Sequence, residues 1–289
     1  MINAIKTRLT RRLKALRGTA LAENLPPSRP PCCYLGDQRA LAVTGGGHKI
    51  FLDTRDVGLT PHIALDGIWE VHIEKLVRRL LRPAATVVEV GANMGYHTLS
   101  MAEAVGPTGR VHAFEANPRM VALLRDSIAV NGYDDRVTLH LLAAMDAPGS
   151  LSFATHPSHA GSGYVVRGVP AADFTEHVTV EGARIDDRLP DLPEVDLFRL
   201  DCEGSEPPAL RGAEGLLRRS RDAVIVTEWG SGMMSRHGPV AEHEAWLGGL
   251  GFVHCLEVDS QGSLHRRELG TLSDVVLADL VFSRRPLVF

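Results

Sequence analysis

The sequence predicts an α/β protein: a mostly parallel sheet of seven strands with helices on both faces, preceded by an N-terminal extension. Three observations lead there. From residue 85 onward short β-branched runs alternate with helix-length segments, the pattern of βαβ units. The runs Val87-Val88-Glu89-Val90 and Ala223-Val224-Ile225-Val226-Thr227 are almost wholly apolar, as expected of strands buried on both faces. Finally, a glycine loop follows the first of these strands and an acid ends the second, at the sheet edge where open α/β folds take ligands.

The chain opens with Ile2, Ile5, Leu9, Leu13 and Leu16 spaced by three or four, so residues 2–17 read as an amphipathic helix. Its other face holds Lys6, Arg8, Arg11, Arg12, Lys14 and Arg17 with no acid, a local charge of +6. The net charge is -4, which leaves the rest of the chain at -10. An acidic body argues against general nucleic-acid binding, which needs a cationic face. The basic head suits either a solvated helix packed on its own protein or peripheral contact with an anionic membrane. The expected location is cytoplasmic, with the inner membrane face as the place of any such contact. No run approaches the ~20 apolar residues of a membrane span. The four cysteines, two of them adjacent (Cys32 and Cys33), suit neither a disulfide framework nor a zinc site.

Pro26, Pro27, Pro30 and Pro31 then mark a linker, so residues 1–31 form one unit. Residues 32–81 form a second, an N-terminal cap on the acceptor side. It holds a hairpin over 40–52 turning at Gly45-Gly46-Gly47, and a helix over 66–81 capped by Asp66 and stopped by Pro83. Residues 82–289 form the main domain. Its predicted strands are 85–90, 110–115, 136–143, 195–201, 222–228, 251–258 and one near 275–283. Its predicted helices are 94–105, 118–130, 206–218 and 240–250, with an insertion of short strands at 150–182.

The loop after the first strand runs Glu89-Val90-Gly91-Ala92-Asn93-Met94-Gly95-Tyr96. Gly91 and Gly95 permit a sharp turn and a close ligand approach. Nicotinamide enzymes use G-x-G-x-x-G, because a pyrophosphate needs bare backbone at a helix start. Here Asn93 stands at the second glycine, and a leading carboxylate, Glu89, would sit beside a diphosphate. A cofactor with an amino group and no phosphate fits better, and S-adenosylmethionine (SAM) is such a cofactor. Glu115, ending the second strand, would take the ribose hydroxyls, and the loop would take the aminoacyl tail, with Glu89 reached through water. The predicted cofactor residues are Glu89, Gly91, Ala92, Asn93, Gly95, Tyr96, Glu115 and, past the third strand, Ala144.

Those residues carry a resemblance. VVEVGANMGYHTLSMAEAVGPTGRVHAFEANP (87–118), then VDLFRLDCEGSEPPALRGAEGLL (195–217), resembles the FkbM-type SAM-dependent methyltransferases. The likeness runs from about Asp66 to Trp229, and its D-x-E-G-x-E signature falls at Asp201–Glu206. It implies a Rossmann-like fold and O-methylation of a hydroxyl on a sugar, polysaccharide or natural product. Two positions depart from the family pattern: Glu89 stands for the usual aspartate, and Ala116 for the proline of E-P-N-P.

Methyl transfer to oxygen needs alignment of the acceptor and removal of its proton. Asp201, Glu203 and Glu206 follow the fourth strand, Glu228 ends the fifth, and His237 lies in the next loop. Asp201, Glu203, Glu228 and His237 are the predicted catalytic residues. Either Asp201, Glu203 and Glu228 hold a divalent cation such as Mg²⁺ that lowers a hydroxyl pKa, or one carboxylate or His237 is a base without metal. Glu206, at a helix start, also suits a plain dipole interaction. His156 and His159 read as surface histidines, and Cys202, between two acids, as a poor nucleophile. Two other readings stay open on sequence grounds: a nicotinamide-dependent oxidoreductase, and a non-catalytic, membrane-associated binding module. The expected partner is a small-molecule or glycan acceptor.

Overall fold

A computed structural model describes residues 31–168 and 171–288. The predicted amphipathic helix at 2–17 lies outside the described residues. Among the described residues no helix is long and apolar enough to cross a membrane.

The chain begins with an antiparallel meander of β1 (Cys32–Gly36), β2 (Arg39–Val43) and β3 (Lys49–Asp53). Val43 pairs with Lys49 across the predicted glycine turn, and β1 is a strand that the sequence reading missed. The predicted helix at 66–81 begins only at Val71, and a separate helix precedes it. Asp66 does not cap a start; it is the last residue of Leu59–Asp66, which stops at left-handed Gly67 (φ 73°). The second helix, Val71–Leu80, follows Glu70, itself left-handed at φ 40°. Two reversals of backbone hand within four residues account for the break.

The main sheet then builds from β4 (Thr86–Val90), β5 (Arg110–Glu115) and β6 (Val137–Leu141). A small second sheet holds β7 (Ala143–Ala144), β8 (Gly149–His156), β9 (His159–Val165) and β10 (Glu176–Ala183), which form the insertion. The chain returns through β11 (Leu197–Leu200), β12 (Val224–Trp229), β13 (His254–Val258), β14 (Leu264–Arg267) and β15 (Ala278–Ser283). The strand order is β14-β13-β15-β12-β11-β4-β5-β6. Strands β12, β11, β4, β5 and β6 are parallel; β15 and the β13–β14 hairpin are antiparallel additions. The sheet therefore has eight strands rather than seven, because β14 doubles back on the edge strand β13.

Alternate residues on β4 serve opposite faces. Val88 and Val90 pack with Phe198, Leu200 and Ile225 in one core; Val87 packs with Leu197, Val226, Ile73 and Met101 in the other. Each fully buried aliphatic chain contributes roughly 1.5–3 kcal/mol, which is why these runs are apolar throughout. The helix Pro118–Asn131 starts where Asn117 accepts the Arg119 N–H, carries Pro118 in its first turn and ends at left-handed Gly132. The predicted helix 206–218 divides into Glu206–Arg211 and Glu214–Arg219. At the break, a Cβ on Gly212 would collide with the Met145 carbonyl oxygen.

Strand order reverses between β4 and β11, and above that switch point the meander and the insertion meet as a roof. Val57 N–H donates to Ser158 O (2.9 Å). Asp56 joins the two pieces: its Oδ1 accepts the N–H groups of Ala160 (2.9 Å) and Gly58 (3.3 Å), and its Oδ2 that of Thr60 (2.6 Å). Asp56→Ala leaves three N–H groups without their acceptor and is expected to cost about 2–3 kcal/mol, with the loss local to the roof. Amide hydrogen exchange is expected to show Ala160 and Thr60 losing protection while β4 and β11 keep theirs; uniform loss would contradict a local seam.

Candidate active site

Each candidate side chain is placed by the end of a strand or by a sharp turn just beyond it. The loop after β4 turns through three left-handed residues: Gly91 (φ 84°), Asn93 (φ 49°) and Gly95 (φ 96°). Asparagine tolerates that region, so Asn93 substitutes for a glycine at this point in the turn. The close approach that requires Gly91 comes from the chain itself, since a Cβ there would collide with the Asp201 carbonyl oxygen; at Gly95 it would meet Leu124. The loop N–H groups are also spent internally. Those of Gly91 and Ala92 donate to Phe114 O, that of Asn93 to Glu115 Oε2, that of Met94 to Asn93 Oδ1 and that of Gly95 to Ala92 O. These five N–H groups are committed within the chain.

Glu115 is the opposite case. It is buried, yet each carboxylate oxygen is aimed by a backbone N–H: Asn93 to Oε2 (2.8 Å) and Asn117 to Oε1 (2.7 Å). Burial pushes its pKa up and the N–H groups of Asn117, Asn93 and Ala116 pull it partway back. An acceptor pair held at this angle suits two neighbouring hydroxyls.

The cavity at the switch point has a volume of about 260 Å³. Phe114, Leu142, Ala144, Phe153 and Val165 give it an apolar side; Asp56, Glu70, Glu115, Asp201, Glu203 and Glu228 give it six carboxylates against one guanidinium, Arg199. Arg199 projects from β11 directly beside Glu89 in the register and is itself buried. Its Nη2 donates to Asp201 Oδ2 (2.9 Å) and lies 3.6 Å from Glu70 Oε2; its Nη1 lies 3.7 Å from Glu89 Oε1.

The predicted cofactor residues Gly91, Ala92, Asn93, Tyr96, Glu115 and Ala144 line this cavity. Glu89 and Gly95 do not. Glu89 is fully buried below the loop, where its Oε2 accepts the Thr98 hydroxyl (2.5 Å) and it faces Arg199. Burial pushes its carboxyl up to about 7 despite that guanidinium. Of the predicted catalytic residues, Asp201, Glu203 and Glu228 line the cavity and His237 does not. His237 lies in the 3₁₀ turn Ser235–His237, where burial and the charge of Arg167 hold its pKa down at about 4.

Glu203 (φ 56°) and Gly204 (φ 94°) make the turn after β11, and a Cβ on Gly204 would strike the backbone of Met233. Glu206 stays out of the cavity: it is buried, and its Oε1 accepts the Cys202 N–H (2.8 Å). Burial, then neighbouring carboxylates, push Glu203 up to about 8 and Glu228 up to about 9. The Cys202 thiol is likewise pushed well up, by burial and then by Glu206. As for a divalent cation, no three His, Cys, Asp or Glu side chains among the described residues converge as a ligand set. Asp201, the donor nearest the strand, is already held by a cation of the protein's own. The donor set does not fit a metal.

Sequence reasoning missed Glu70, His97 and Arg199. His97 is buried, and its Nε2 lies 3.1 Å from Glu70 Oε2. One signal was available: an arginine inside the apolar run Leu197-Phe198-Arg199-Leu200 must be buried, and a buried charge must have partners.

The fold and this site define a class, the Rossmann-like methyltransferases. The family model of the methyltransferase FkbM domain matches residues 89–254, more than half of the chain, and the chain belongs to that family. Shorter matches run to protein-L-isoaspartate O-methyltransferases. The one from Methanopyrus kandleri is 40% identical over 65 residues (22% of this chain, 29% of that protein). The one from Hyperthermus butylicus is 39% identical over 66 residues (20% and 27%). The matched stretch thus spans under a third of those curated relatives. Among solved structures, the O-methyltransferase TomG from Streptomyces achromogenes, in complex with SAM, aligns at 17% identity and a TM-score of 0.43, covering 75% of this chain and 79% of that one. Precorrin-6y C5,15-methyltransferase from Geobacter metallireducens aligns at 14% identity and a TM-score of 0.41, covering 73% and 88%.

The raised carboxyls carry a pH signature. A group whose pKa is higher folded than unfolded stabilises the fold below its unfolded value and loses that contribution as pH climbs through the folded one. For Glu203 and Glu228 the loss ends near their folded values of about 8 and about 9. The melting temperature of the ligand-free protein is therefore expected to fall between about pH 7 and about pH 9.5, and Glu228→Gln is expected to flatten that slope. A flat wild-type profile across this window would contradict the protonated cluster.

Proposed function

We propose that this chain is a SAM-dependent O-methyltransferase acting on a hydroxyl of a sugar, polysaccharide or natural product. The observation that carries the reading is the pairing of Glu115, aimed by two backbone N–H groups, with an acidic cavity whose glycine loop spends the N–H groups of residues 91–95 within the chain. Such a site suits a nucleoside that brings positive charge and no diphosphate. Glu115 would hold the ribose hydroxyls, and the apolar side at Phe114, Leu142 and Ala144 would take the base.

SAM supplies a methyl group already made electrophilic by its sulfonium, so the protein's task is alignment and proton removal. Glu203 and Glu228 are suited to the second once the cofactor's positive charge has favoured their ionised forms. A carboxylate of raised pKa is then a better base than an ordinary one, and a positioned base contributes about 10²–10⁴-fold. Arg199 keeps Asp201 in place beside them. Membership of the FkbM family and the short likeness to O-methyltransferases support oxygen as the acceptor atom.

Thermal-shift titration tests the reading. SAM and S-adenosylhomocysteine are expected to raise the melting temperature and NAD to leave it unchanged. Glu115→Ala is expected to weaken SAM binding about tenfold or more, the loss of a charge-assisted pair of hydrogen bonds. A shift with NAD alone would favour the oxidoreductase; no shift with any of the three would favour a binding module.

A further inference from the structure

Glu70 is the residue of the cavity that the fold does most to place and least needs for itself. It stands immediately before the helix Val71–Leu80 in a left-handed conformation (φ 40°) that a side-chain-bearing residue adopts only under strain. Backbone strain of this kind persists where the surroundings fix it, and it collects at binding and catalytic sites. The strain serves no cap, because the Glu70 side chain accepts no N–H of its own helix. Nor does Arg199 depend on it, since Asp201 and Glu89 flank that guanidinium as well.

What the conformation achieves is direction. Glu70 lines the cavity, and its two oxygens are used unequally. Oε2 takes both His97 Nε2 (3.1 Å) and Arg199 Nη2 (3.6 Å), two groups that are themselves buried. Oε1 accepts no hydrogen bond from the described residues. Two of the other cavity carboxylates are fully engaged: Asp56 spends both oxygens on backbone N–H groups, and Glu115 is aimed by two of its own. Asp201, like Glu70, gives one oxygen to Arg199, but burial pushes its carboxyl up. Glu203 and Glu228 favour the protonated form at neutral pH. At Glu70, burial pushes the pKa up, but the hydrogen bond with His97 and the charge of Arg199 outweigh it and hold the carboxyl below its ordinary value.

We infer that Glu70 is the counter-charge for the positively charged sulfur of the bound cofactor, the group by which this protein distinguishes a sulfonium from the neutral thioether left after transfer. The inference rests on the SAM-binding reading above and adds a residue outside the stretch matched by the family model, residues 89–254. The two ligands differ by one methyl group and one charge, and a carboxylate with an open oxygen separates them by the charge.

Isothermal titration of SAM and of S-adenosylhomocysteine into the full chain tests it. Glu70→Gln, which keeps the shape and removes the charge, is expected to weaken SAM at least tenfold, about 1.4 kcal/mol, while S-adenosylhomocysteine changes by less than about threefold. Should that variant fold poorly, Glu70→Gly is the second probe. Its left-handed φ suits glycine, so its melting temperature is expected to stay at or above the wild-type value with the same selective loss of SAM. Equal weakening of both ligands, or of neither, overturns the assignment while the methyltransferase reading stands. A wild-type protein that binds neither ligand overturns both.

Discussion

Burying a guanidinium inside a strand is costly unless carboxylates surround it, and the carboxyl end of this sheet is arranged to meet that condition for Arg199. Glu89 comes from the neighbouring parallel strand, Asp201 from two residues further along the same strand, and Glu70 from outside the sheet. Three segments distant in sequence are thereby drawn to one point. Glu70, just before the helix Val71–Leu80, adds a third carboxylate at 3.6 Å to a guanidinium that the other two already flank. Removing Arg199 would leave these carboxylates facing one another without a counter-charge, so this residue sets both the architecture and the proton inventory of the cavity.

That inventory divides the cavity's work. Around Arg199 the carboxylates are committed to a fixed positive charge. Farther out, at Glu203 and Glu228, there is more negative capacity than the protein neutralises, and protons fill the difference. A site of this kind is incomplete without a cation. It also sets the glycine loop apart from that of a dinucleotide-binding protein, since the N–H groups of residues 91–95 hold the loop together and orient Glu115. The ligand-facing charge of the cavity is carboxylate, where a diphosphate site would present N–H groups.

Much of this was legible before any coordinates. Apolar β-branched runs located the parallel strands, and the rule that ligands sit past strand ends pointed to Glu115, Asp201, Glu203 and Glu228. The parts that were not legible share a cause: they depend on backbone hand or on contacts between distant segments. The helix predicted over 66–81 hid the two left-handed residues at Gly67 and Glu70, so nothing in the spacing marked Glu70 out. Glu89 read as a cofactor contact because spacing cannot tell a side chain that reaches the cavity from one that turns beneath the loop toward Thr98 and Arg199. His237 does not line the cavity, since the loop bearing it coils into a 3₁₀ turn beside Arg167. The eighth strand was missed because β14 pairs at an edge, where Leu264–Arg267 carries little apolar signal.

The central claim is that the cavity carries uncompensated carboxylate charge, held as protons until a cation enters. The most direct measurement is the number of protons released when SAM binds near pH 7.5, read by calorimetry in buffers of different ionisation enthalpy. With Glu203 and Glu228 near about 8 and about 9 in the empty site, the arriving positive charge favours their ionised forms, and net proton release is predicted. Release should be smaller with S-adenosylhomocysteine, whose sulfur is neutral. Binding of SAM with no proton released, or with protons taken up, would contradict the account.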